Sequence, residues 1–450
     1  MRTATPPVMA TMRLGPQAGE VIDRSEILPF TWNGAERHAY GGDTITSALA
    51  ASGERVFSRS FKLHRPRGLL TADALDPGCL VQVGDEPNVR GSQRRVEAGM
   101  SVSAQNAWPS LRFDVKSANR VAGRFLSAGF YYKTFMKPRR LWPAYDGVLR
   151  RFSAGGVVPN GPPTGRYDKR YAHPDVVVAG GGPAGMAAAL GAASAGGRVM
   201  LVEAEPQLGG HLRWGDDGEL AALADLRGAV EESDDIEVMT DAVVAGRYDG
   251  NWVAITQSGL PHVTERLVKA RAKSLVVAPG LIERPYVFAG NDLPGVVLST
   301  AVRRLVNLWA VKPGERAVVL SANPSGDAAI ADLQRAGVEV ARVEDARLGG
   351  DVVRALRARG GGLHAVECSG GTTVECDLLV TATGWTAPTS LLNMAGDRPV
   401  YDERAARFFP SSLPHDVLAA GGIVGDGSLE ELVAHGRATG REAARRAHEV

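Results

Sequence analysis

DVVVAGGGPAGMAAALGAASAGGRVMLVE, residues 175–203, is the stretch of sequence that decides the fold. It opens with a short apolar run typical of a buried parallel strand, which leads directly into three consecutive glycines. Gly180, Gly182 and Gly185 match the pattern G-x-G-x-x-G. In that pattern the first glycine permits a tight turn, the second lets a pyrophosphate approach the backbone, and the third lets helix and strand pack closely. The stretch therefore predicts a Rossmann-type dinucleotide site.

The residues after the glycines complete this unit. The alanine-rich segment 184–195 predicts a helix whose N-terminal N–H groups point at the phosphates, and Gly196-Gly197 end it. A second strand, 198–202, places Glu203 where its carboxylate can accept both hydroxyls of an adenosine ribose and disfavours the 2′-phosphate of NADP. An ordinary glycine-rich turn is the alternative. The flanking strands, the helix and an acid 18 positions beyond Gly185 favour the nucleotide site.

Length and composition bound the class of protein. The chain has 450 residues, 44% of them hydrophobic, and a net charge of +1, which suits a multi-domain globular protein and predicts no nucleic-acid or membrane partner. It contains no apolar run of membrane-spanning length, and prolines interrupt the N-terminus where a signal peptide needs an apolar core. We therefore expect a cytoplasmic enzyme. The cysteines, Cys79, Cys368 and Cys376, are too scattered for a disulfide framework or a metal site, so we expect reduced thiols.

The order of predicted strands and helices indicates an α/β protein. A ferredoxin-like β-grasp domain comes first along the chain, and two dinucleotide-binding, glutathione reductase-like Rossmann domains follow it. Thr31 to Tyr40 is typical of a hairpin that turns at Asn33-Gly34, and a short helix capped by Asp43 and stopped by Gly53 follows. We predict an N-terminal arm at 1–24, the β-grasp domain at 25–115, a connecting or interface segment with a linker at 116–170, an FAD- or NAD-binding Rossmann domain at 171–299 and 396–450, and an inserted second nucleotide-binding-like domain at 300–395. The linker itself is the run of residues 161–165, GPPTG.

A ferredoxin holds its iron–sulfur cluster with four cysteine thiolates, and this chain lacks them. The segment 56–68, where we expect the cluster loop, has no cysteine. Cys79 matches at most one ligand position, and Ser92 stands where the last ligand is expected. We therefore predict a β-grasp domain without a cluster.

Two stretches of the first 170 residues are distinctive. Five Lys or Arg residues lie between Arg55 and Leu70 with His64 and without an acid; they are Arg55, Arg59, Lys62, Arg65 and Arg67. This pattern is typical either of a solvated basic face or of a surface that binds an anion or a partner. Farther along, aromatic residues cluster beside Lys133 and Lys137; they are Phe130, Tyr131, Tyr132, Phe135 and Trp142. This second stretch could form core, cover a partner's flavin or form a subunit interface.

Further glycines and small residues fit the first nucleotide site. A glycine pair ends at Gly210, and two apolar strands, 275–280 and 377–384, each end in a small-residue turn. We expect the chain to pass between the Rossmann domain and the inserted domain at these two strand-and-turn segments. Together with the first fingerprint they give the candidate cofactor-binding residues: Gly180, Gly182, Pro183, Ala184, Gly185, Glu203, Ala204, Gly210, Ala278, Gly280, Gly384, Gly421 and Gly422.

Two departures from the flavoprotein pattern bear on the cofactor. In the inserted domain Ser321 and Asn323 replace the first two fingerprint glycines and Gly326 remains, so this second site should bind nicotinamide dinucleotide weakly or not at all. Near the C-terminus the residues after the last strand are Gly421-Gly422, where such flavoproteins have Gly-Asp, and Asp426 lies four positions later. The second departure favours NAD over FAD at the first site, and we leave both open.

Four segments carry a more specific resemblance. RSFKLHRPRG (59–68), AQNAWPSLRFDV (104–115), AGFYYKTFMKPRRLW (128–142) and RYDKRYAHPDVVVAGGGPAG (166–185) closely resemble the N-terminal half of the alpha subunits of heterotetrameric sarcosine oxidases. The resemblance covers nearly the whole chain from about Leu14. It implies a cluster-free ferredoxin-like domain, a dinucleotide (NAD, or FAD in related amino-acid dehydrogenases) and an FMN shared with a partner subunit.

The resemblance also implies the function. We expect an alpha-type subunit of a multi-subunit, flavin-dependent oxidase or dehydrogenase of amines or imino acids, active with a beta-type flavin-containing subunit and possible further small subunits. Lys133 is the candidate for a residue beside the flavin. A stand-alone FAD-dependent oxidoreductase and a non-catalytic assembly subunit with a structural nucleotide are the alternatives.

Overall fold

The computed structural model describes residues 11–125, 137–153, 155–159, 161 and 165–449. It divides into two compact units: unit 1 is Met1–Pro162 with Pro285–Thr383, and unit 2 is Pro163–Arg284 with Gly384–Val450. Lys133, the aromatic residues at 130–135 and part of the predicted linker lie outside the described residues. In the part that is described, no helix is both long and apolar enough to cross a membrane.

The elements of the first 170 residues are β1 (Asp23–Trp32), β2 (Ala35–Gly41), α1 (Ile45–Ala51), β3 (Ser58–Arg59), β4 (Pro66–Arg67), β5 (Leu80–Val83), β6 (Glu86–Arg90), β7 (Ser101–Ala104), a 3-10 segment (Val115–Phe125) and α2 (Trp142–Phe152). Residues 167–284 form β8 (Tyr167–Ala172), β9 (Val176–Ala179), α3 (Pro183–Ser194), β10 (Val199–Val202), α4 (Asp217–Glu231), β11 (Ile236–Met239), β12 (Ala242–Tyr248), β13 (Trp252–Gln257), β14 (Glu265–Arg271), β15 (Ser274–Val277) and β16 (Ile282–Glu283).

Residues 285–383 form β17 (Val296–Leu298), α5 (Ser299–Trp309), β18 (Arg316–Ser321), α6 (Pro324–Arg335), β19 (Glu339–Asp345), β20 (Val352–Arg357), β21 (Leu363–Cys368), β22 (Thr373–Glu375) and β23 (Leu378–Ala382). The last elements are β24 (Trp385–Thr386), α7 (Ser390–Met394), β25 (Val400–Asp402), β26 (Arg407–Phe409), β27 (Val417–Ala419) and α8 (Leu429–His448).

The N-terminal part of unit 1 is a mixed sheet with the strand order β2-β1-β7-β5-β6, in which β1 and β7 are parallel. The predicted hairpin is confirmed: Asn33 and Gly34 both have positive φ, as a two-residue turn between β1 and β2 requires. The predicted helix cap is wrong by one residue. Thr44, not Asp43, caps α1 in a reciprocal capping box with Ser47, because the Asp43 carboxylate is paired with Arg13.

The second part of unit 1 is a parallel sheet, β17-β23-β18-β19, joined by a small antiparallel sheet, β20-β21-β22. Its boundaries differ from the predicted insertion at 300–395. β17 lies beside β23 in this sheet, so the segment starts at Pro285, and β24 pairs with β16 of unit 2, so the segment ends at Thr383. Backbone hydrogen bonds such as Leu298 N–H to Leu70 O (2.9 Å) join it to the N-terminal part.

Unit 2 contains a parallel sheet with the order β11-β10-β9-β15-β27, and a second sheet with the order β12-β13-β14-β8. The buried valines of β9 pack into cores on both faces, as expected of a central parallel strand. The helices α3 and α8 lie unusually close together. A Cβ on Gly440 would lie 1.9 Å from the carbonyl oxygen of Ala188, and one on Gly436 would lie 2.4 Å from that of Ala184. Glycines on α8 therefore let its backbone touch α3.

Candidate functional site

The three fingerprint glycines of unit 2 are required for different reasons. A Cβ on Gly180, whose φ is +116°, would lie 2.1 Å from the carbonyl oxygen of Ala278. A Cβ on Gly185 would lie 1.8 Å from the carbonyl oxygen of Gly180. Neither position can hold a side chain without moving backbone, so both glycines are needed to bring strand, turn and helix together.

No contact within the described part of the protein requires a glycine at position 182. Its φ is −72°, and among the described residues the atom nearest to a Cβ there, outside its chain neighbours, is Cα of Gly210 at 4.0 Å. A side chain at this position would therefore point into open space. The bare backbone at Gly182 would allow a ligand to approach closely from that side, as the second glycine of the fingerprint does.

The same glycine is the N-cap of α3. No side chain among the described residues caps this helix, Pro183 is its first residue, and its first turn has no acidic side chain. The partial positive charge of the helix N-terminus and its N–H groups is thus left for an anion. A phosphate beside Gly182 would be bound by the N–H groups of Ala184 and Gly185.

Glu203 is held at the end of β10 by two backbone donors. The N–H of Gly181 donates to its Oε2 (2.7 Å), and the N–H of Glu205 donates to its Oε1 (2.8 Å). Burial raises the pKa of Glu203, whereas the N–H groups of Glu205 and Gly181 oppose that shift. Each carboxylate oxygen has a second lone pair, so the group can still accept the ribose hydroxyls. The adjacent Ala204 is half-buried.

Several other predicted residues surround the fingerprint. Gly210 lies against it, because a Cβ there would be 3.1 Å from Cα of Gly182. Gly421, with a φ of +80°, lies against the start of α3, since its Cβ would be 2.9 Å from that of Ala184. Gly280 has a φ of +70° and open space at its Cβ position, whereas a Cβ on Gly422 would meet Leu281.

Two residues of the sequence analysis are engaged elsewhere. Asp426 forms an ion pair with Arg407 through one of its carboxylate oxygens (2.8 Å), and its side chain is otherwise exposed. Gly384 contacts Arg284: its carbonyl accepts the N–H of Arg284 at 2.9 Å, and the guanidinium lies 2.8 Å from its Cβ position. The contacts described for Gly384 do not include the fingerprint glycines.

The fingerprint of the inserted segment satisfies its own helix. Asn323 caps α6 by accepting from the N–H of Ser325 (3.0 Å), and Ser321 Oγ bonds Asp327 in the first helical turn (3.0 Å). A Cβ on Gly326 would lie 2.4 Å from that hydroxyl oxygen. Side chains and an acidic charge thus occupy the place where a pyrophosphate would bind. Weak or absent nucleotide binding here stays a prediction, which this geometry supports.

A buried carboxylate that the sequence analysis missed organises the loop before β5. Asp76 Oδ2 accepts from the N–H groups of Leu70 (2.8 Å), Thr71 (3.0 Å) and Ala72 (3.1 Å), and Oδ1 accepts from the N–H of Gly78 (3.0 Å). The thiol of Cys79 also donates to Oδ1 (3.4 Å). Burial, followed by the nearby Asp76 charge, raises the pKa of Cys79 well above its ordinary value.

Ser92 also hydrogen-bonds Cys79, so a carboxylate, a hydroxyl and a thiol lie together at this loop. The cluster loop expected at 56–68 stays a prediction. Nothing in the sequence indicated that the carboxylate of Asp76 gathers four backbone N–H groups.

The comparisons with known proteins agree with this division of the chain. A family model described as a 2Fe-2S iron-sulfur cluster binding domain matches residues 25–107, and one described as an FAD binding domain matches residues 175–293. The sarcosine oxidase subunit alpha of Rhizobium meliloti (strain 1021) is 36% identical over 96% of this chain and 47% of its own length. That of Corynebacterium sp. (strain P-1) is 30% identical over 94% of this chain and 44% of its own length.

The chain is a relative of the sarcosine oxidase alpha subunits. The predicted resemblance is thus confirmed, and the chain spans about half the length of the curated relatives it matches. It combines a ferredoxin-type domain with an FAD-binding-type domain. The solved structure of L-proline dehydrogenase from P. horikoshii aligns with 96% of this chain and 75% of its own, with a TM-score of 0.71. At 19% identity that likeness shows the fold alone.

Proposed function

We propose that the chain is the alpha-type subunit of a multi-subunit, flavin-dependent oxidoreductase that acts on the CH–NH group of a sarcosine-like amine or imino acid. The observation that carries the proposal is the open backbone at Gly182, at an uncapped helix N-terminus and close to the held carboxylate of Glu203. A dinucleotide fits this arrangement, and the chain is 36% identical to a sarcosine oxidase alpha subunit over 96% of its length.

In this proposal the residues of unit 2 bind and orient the dinucleotide. The N–H groups of Ala184 and Gly185 bind the pyrophosphate beside Gly182, and Glu203 accepts the hydroxyls of the adenosine ribose. Pro183, Ala204, Gly210, Ala278, Gly280, Gly421 and Gly422 line the remaining wall, with Gly384 as the most distant candidate. A bound FAD would supply a hydride acceptor, whereas a bound NAD far from the substrate would be structural.

The match to an FAD-binding family favours flavin, whereas Gly421-Gly422 in place of the Gly-Asp of such flavoproteins favours NAD. Glu203 disfavours NADP in either case. The identity of the dinucleotide is therefore decided by release and mass measurement from the purified chain.

We further propose that the ferredoxin-type domain carries no iron–sulfur cluster. Such a cluster needs four thiolate ligands, and Cys79 is the only cysteine in residues 25–107, the range that the 2Fe-2S family model matches. Cys79 is 2% exposed and its raised pKa disfavours the thiolate that would bind iron. The four backbone bonds to Asp76 give the loop an internal anion in place of a cluster.

The partner follows from the relatives, which are named as alpha subunits and therefore belong to proteins with more than one kind of subunit. We propose that a beta-type subunit binds the substrate and its own flavin, and that an FMN lies between the two subunits near Lys133. Further small subunits would complete the enzyme.

The test is to purify the full chain alone and together with a candidate beta-type subunit. The proposal expects a bound dinucleotide in the chain alone, amine oxidation only by the complex, and FMN recovered from the complex. A chain that oxidises sarcosine or proline unaided would instead favour a stand-alone oxidoreductase. A complex that keeps full turnover after the Gly182→Val substitution has emptied the site would favour a dispensable nucleotide.

A further inference from the structure

Arginines from three segments of unit 1 lie near enough to one another, around the β3–β4 hairpin, for their charges to interact. Arg59 and Arg65 belong to the hairpin and its turn, Arg120 to the 3-10 segment, and Arg357 to the end of β20. The 3-10 segment contacts the hairpin, because Asn119 Nδ2 donates to the carbonyl of Lys62 (3.4 Å). Arg65, Arg120 and Arg357 are exposed, whereas Arg59 is only 8% exposed. The sequence alone left two interpretations of the basic stretch at 55–70, a solvated face or an anion-binding surface.

Hydrogen bonds fix the guanidinium group of Arg59, and the neighbouring turn shows where that of Arg357 lies. Arg59 Nη1 donates to the carbonyl of His64 (3.1 Å) and Nη2 donates to the carbonyl of Leu111, while its Nε is buried without a hydrogen-bond partner. Arg357 is placed beside the hairpin by a tight turn. Its Nη2 and Cγ of Pro66 each lie 3.2 Å from the position that a Cβ on Gly361 would take, and Gly361 has a φ of +100°.

The acids near this group are already engaged. Asp292 forms ion pairs with Arg65 (3.1 Å) and Arg67 (2.6 Å). Asp114 is bonded to His64 Nδ1 (2.8 Å) and accepts from the N–H groups of Trp108 (3.1 Å) and Lys116 (3.2 Å). Positive charge therefore exceeds negative charge on the surface that carries Arg65, Arg120 and Arg357.

Arg357 is the clearest sign of this excess. Within the described ranges, no residue forms an ion pair or a hydrogen bond with its guanidinium. Burial and the neighbouring Arg120 hold the pKa of Arg357 below its ordinary value, with a smaller opposing effect of Asp292. Burial, Arg120 and Arg357 likewise lower the pKa of Arg59, against the opposing charge of Asp114. Like charges held together in this way are stabilised by a bound anion.

We propose that Arg120 and Arg357 form a binding site for a phosphate monoester, with Arg65 only at its edge, because Asp292 pairs with it, and with the buried Arg59 adding positive charge. The planar guanidinium fork pairs two N–H groups with two phosphate oxygens. A phosphate dianion offers three oxygens and two charges, enough for more than one guanidinium, whereas a carboxylate offers two oxygens and one charge. The inference does not depend on the proposed function. Inorganic phosphate, a nucleotide and the phosphate of FMN all share the required chemistry.

The experiment titrates the full chain at constant ionic strength with inorganic phosphate, with FMN, and with riboflavin, which lacks the phosphate. Calorimetry measures binding, and the Gly182→Val background removes the dinucleotide site of unit 2. We expect saturable phosphate binding that weakens about ten-fold or more in Arg120→Ala and in Arg357→Ala, because each removes a charge-assisted bond. If FMN binds more tightly than inorganic phosphate and depends on Arg357 in the same way, the ligand is a flavin phosphate. If FMN and inorganic phosphate bind equally tightly, the site recognises the phosphate group alone.

Arg354→Ala is the matched control. Arg354 lies on the same strand as Arg357 and carries the same charge, but it is paired with Glu367 (2.7 Å), so its loss should leave phosphate binding unchanged. Circular dichroism and thermal unfolding check that the exposed substitutions leave the fold intact. The inference is overturned if the starting protein shows no saturable phosphate binding, or if Arg120→Ala and Arg357→Ala bind as it does. An equal loss in Arg354→Ala would also overturn it, because the effect would then be general charge screening.

Discussion

Gly181 and Glu203 are linked directly: the N–H of Gly181 donates a 2.7 Å hydrogen bond to Oε2 of Glu203. This bond connects the glycine loop, where the phosphates would bind, to the carboxylate that would bind the ribose. The second donor, the N–H of Glu205, fixes the other oxygen at 2.8 Å. Both ends of the candidate site are therefore positioned before a ligand arrives, which lowers the ordering cost of binding.

Gly182 and Gly185 should respond differently to the same added methyl group. Gly182→Ala and Gly182→Val should fold normally, since the Cβ position is open and φ is −72°, but they should lose the bound dinucleotide. Gly185→Ala should lower the free energy of unfolding by about 1–3 kcal/mol or more, because its Cβ would overlap the carbonyl oxygen of Gly180 at 1.8 Å. Thermal unfolding and cofactor release distinguish the two effects.

Gly228→Ala, on α4 with open space at its Cβ position, is the control for both substitutions. It should keep the bound dinucleotide and raise the free energy of unfolding by about 0.5–1 kcal/mol, because alanine favours a helix more than glycine. If Gly182→Val unfolds as readily as Gly185→Ala, the glycine at 182 is required for packing and not for a ligand.

Glu203→Gln should change how stability depends on pH in the ligand-free protein. Burial raises the folded-state pKa of Glu203 above its ordinary 4.5, so the folded state retains a proton that the unfolded state releases. The protonated carboxyl therefore contributes its full share to the free energy of unfolding below about pH 4.5. That contribution is lost as the pH rises through the folded-state pKa of Glu203. The amide cannot titrate, so this part of the loss should disappear in Glu203→Gln. Urea unfolding across this pH range measures it.

The same substitution should weaken dinucleotide binding by roughly 1.5–3 kcal/mol, because a neutral amide replaces a charged acceptor of the ribose hydroxyls. Glu237→Gln, an exposed acid on β11 that is paired with Arg170, is the control for loss of one carboxylate. An unchanged pH profile in Glu203→Gln would contradict the raised pKa.

Short-range patterns were sufficient to predict part of this structure. The hairpin at Asn33-Gly34, the fingerprint strand and helix, and the position of Glu203 all depend on neighbours in sequence. The boundary of the inserted segment was not predictable in this way, because β17 is assigned by pairing with β23, about 80 residues later. The cap of α1 was misplaced because Asp43, a good capping residue, is taken by Arg13, 30 residues earlier.

Close packing of α3 and α8 should be sensitive to single methyl groups. Gly440→Ala should lower the free energy of unfolding by about 1–3 kcal/mol, because its Cβ would lie 1.9 Å from the carbonyl oxygen of Ala188. Ala438→Val adds volume to the same helix at an exposed position and should cost less than about 1 kcal/mol. Chemical denaturation compares the two. Alanine favours a helix more than glycine, so an unchanged or increased stability in Gly440→Ala would contradict the close contact with α3.

Asp76 should be essential to the loop before β5 although no ligand is assigned to it. Asp76→Ala leaves four buried backbone N–H donors and the Cys79 thiol without their acceptor, and each unsatisfied donor costs about 1–3 kcal/mol. Relaxation and water entry will reduce the sum, so we expect a loss of about 3–5 kcal/mol, comparable to breaking a buried charged pair. Asp76→Asn keeps one acceptor oxygen, so its free energy of unfolding should lie between those of the unsubstituted protein and Asp76→Ala.

Asp85→Ala, an exposed acid in the turn between β5 and β6, is the matched control and should change stability by less than about 0.5 kcal/mol. Loss of the acceptor should also lower the pKa of the Cys79 thiol, because the neighbouring negative charge that raises it is removed. Thiol alkylation rates across pH, measured in Asp76→Asn, test this separately from stability. If Asp76→Ala is as stable as Asp85→Ala, the loop is held by its surroundings and the carboxylate is not its organising centre.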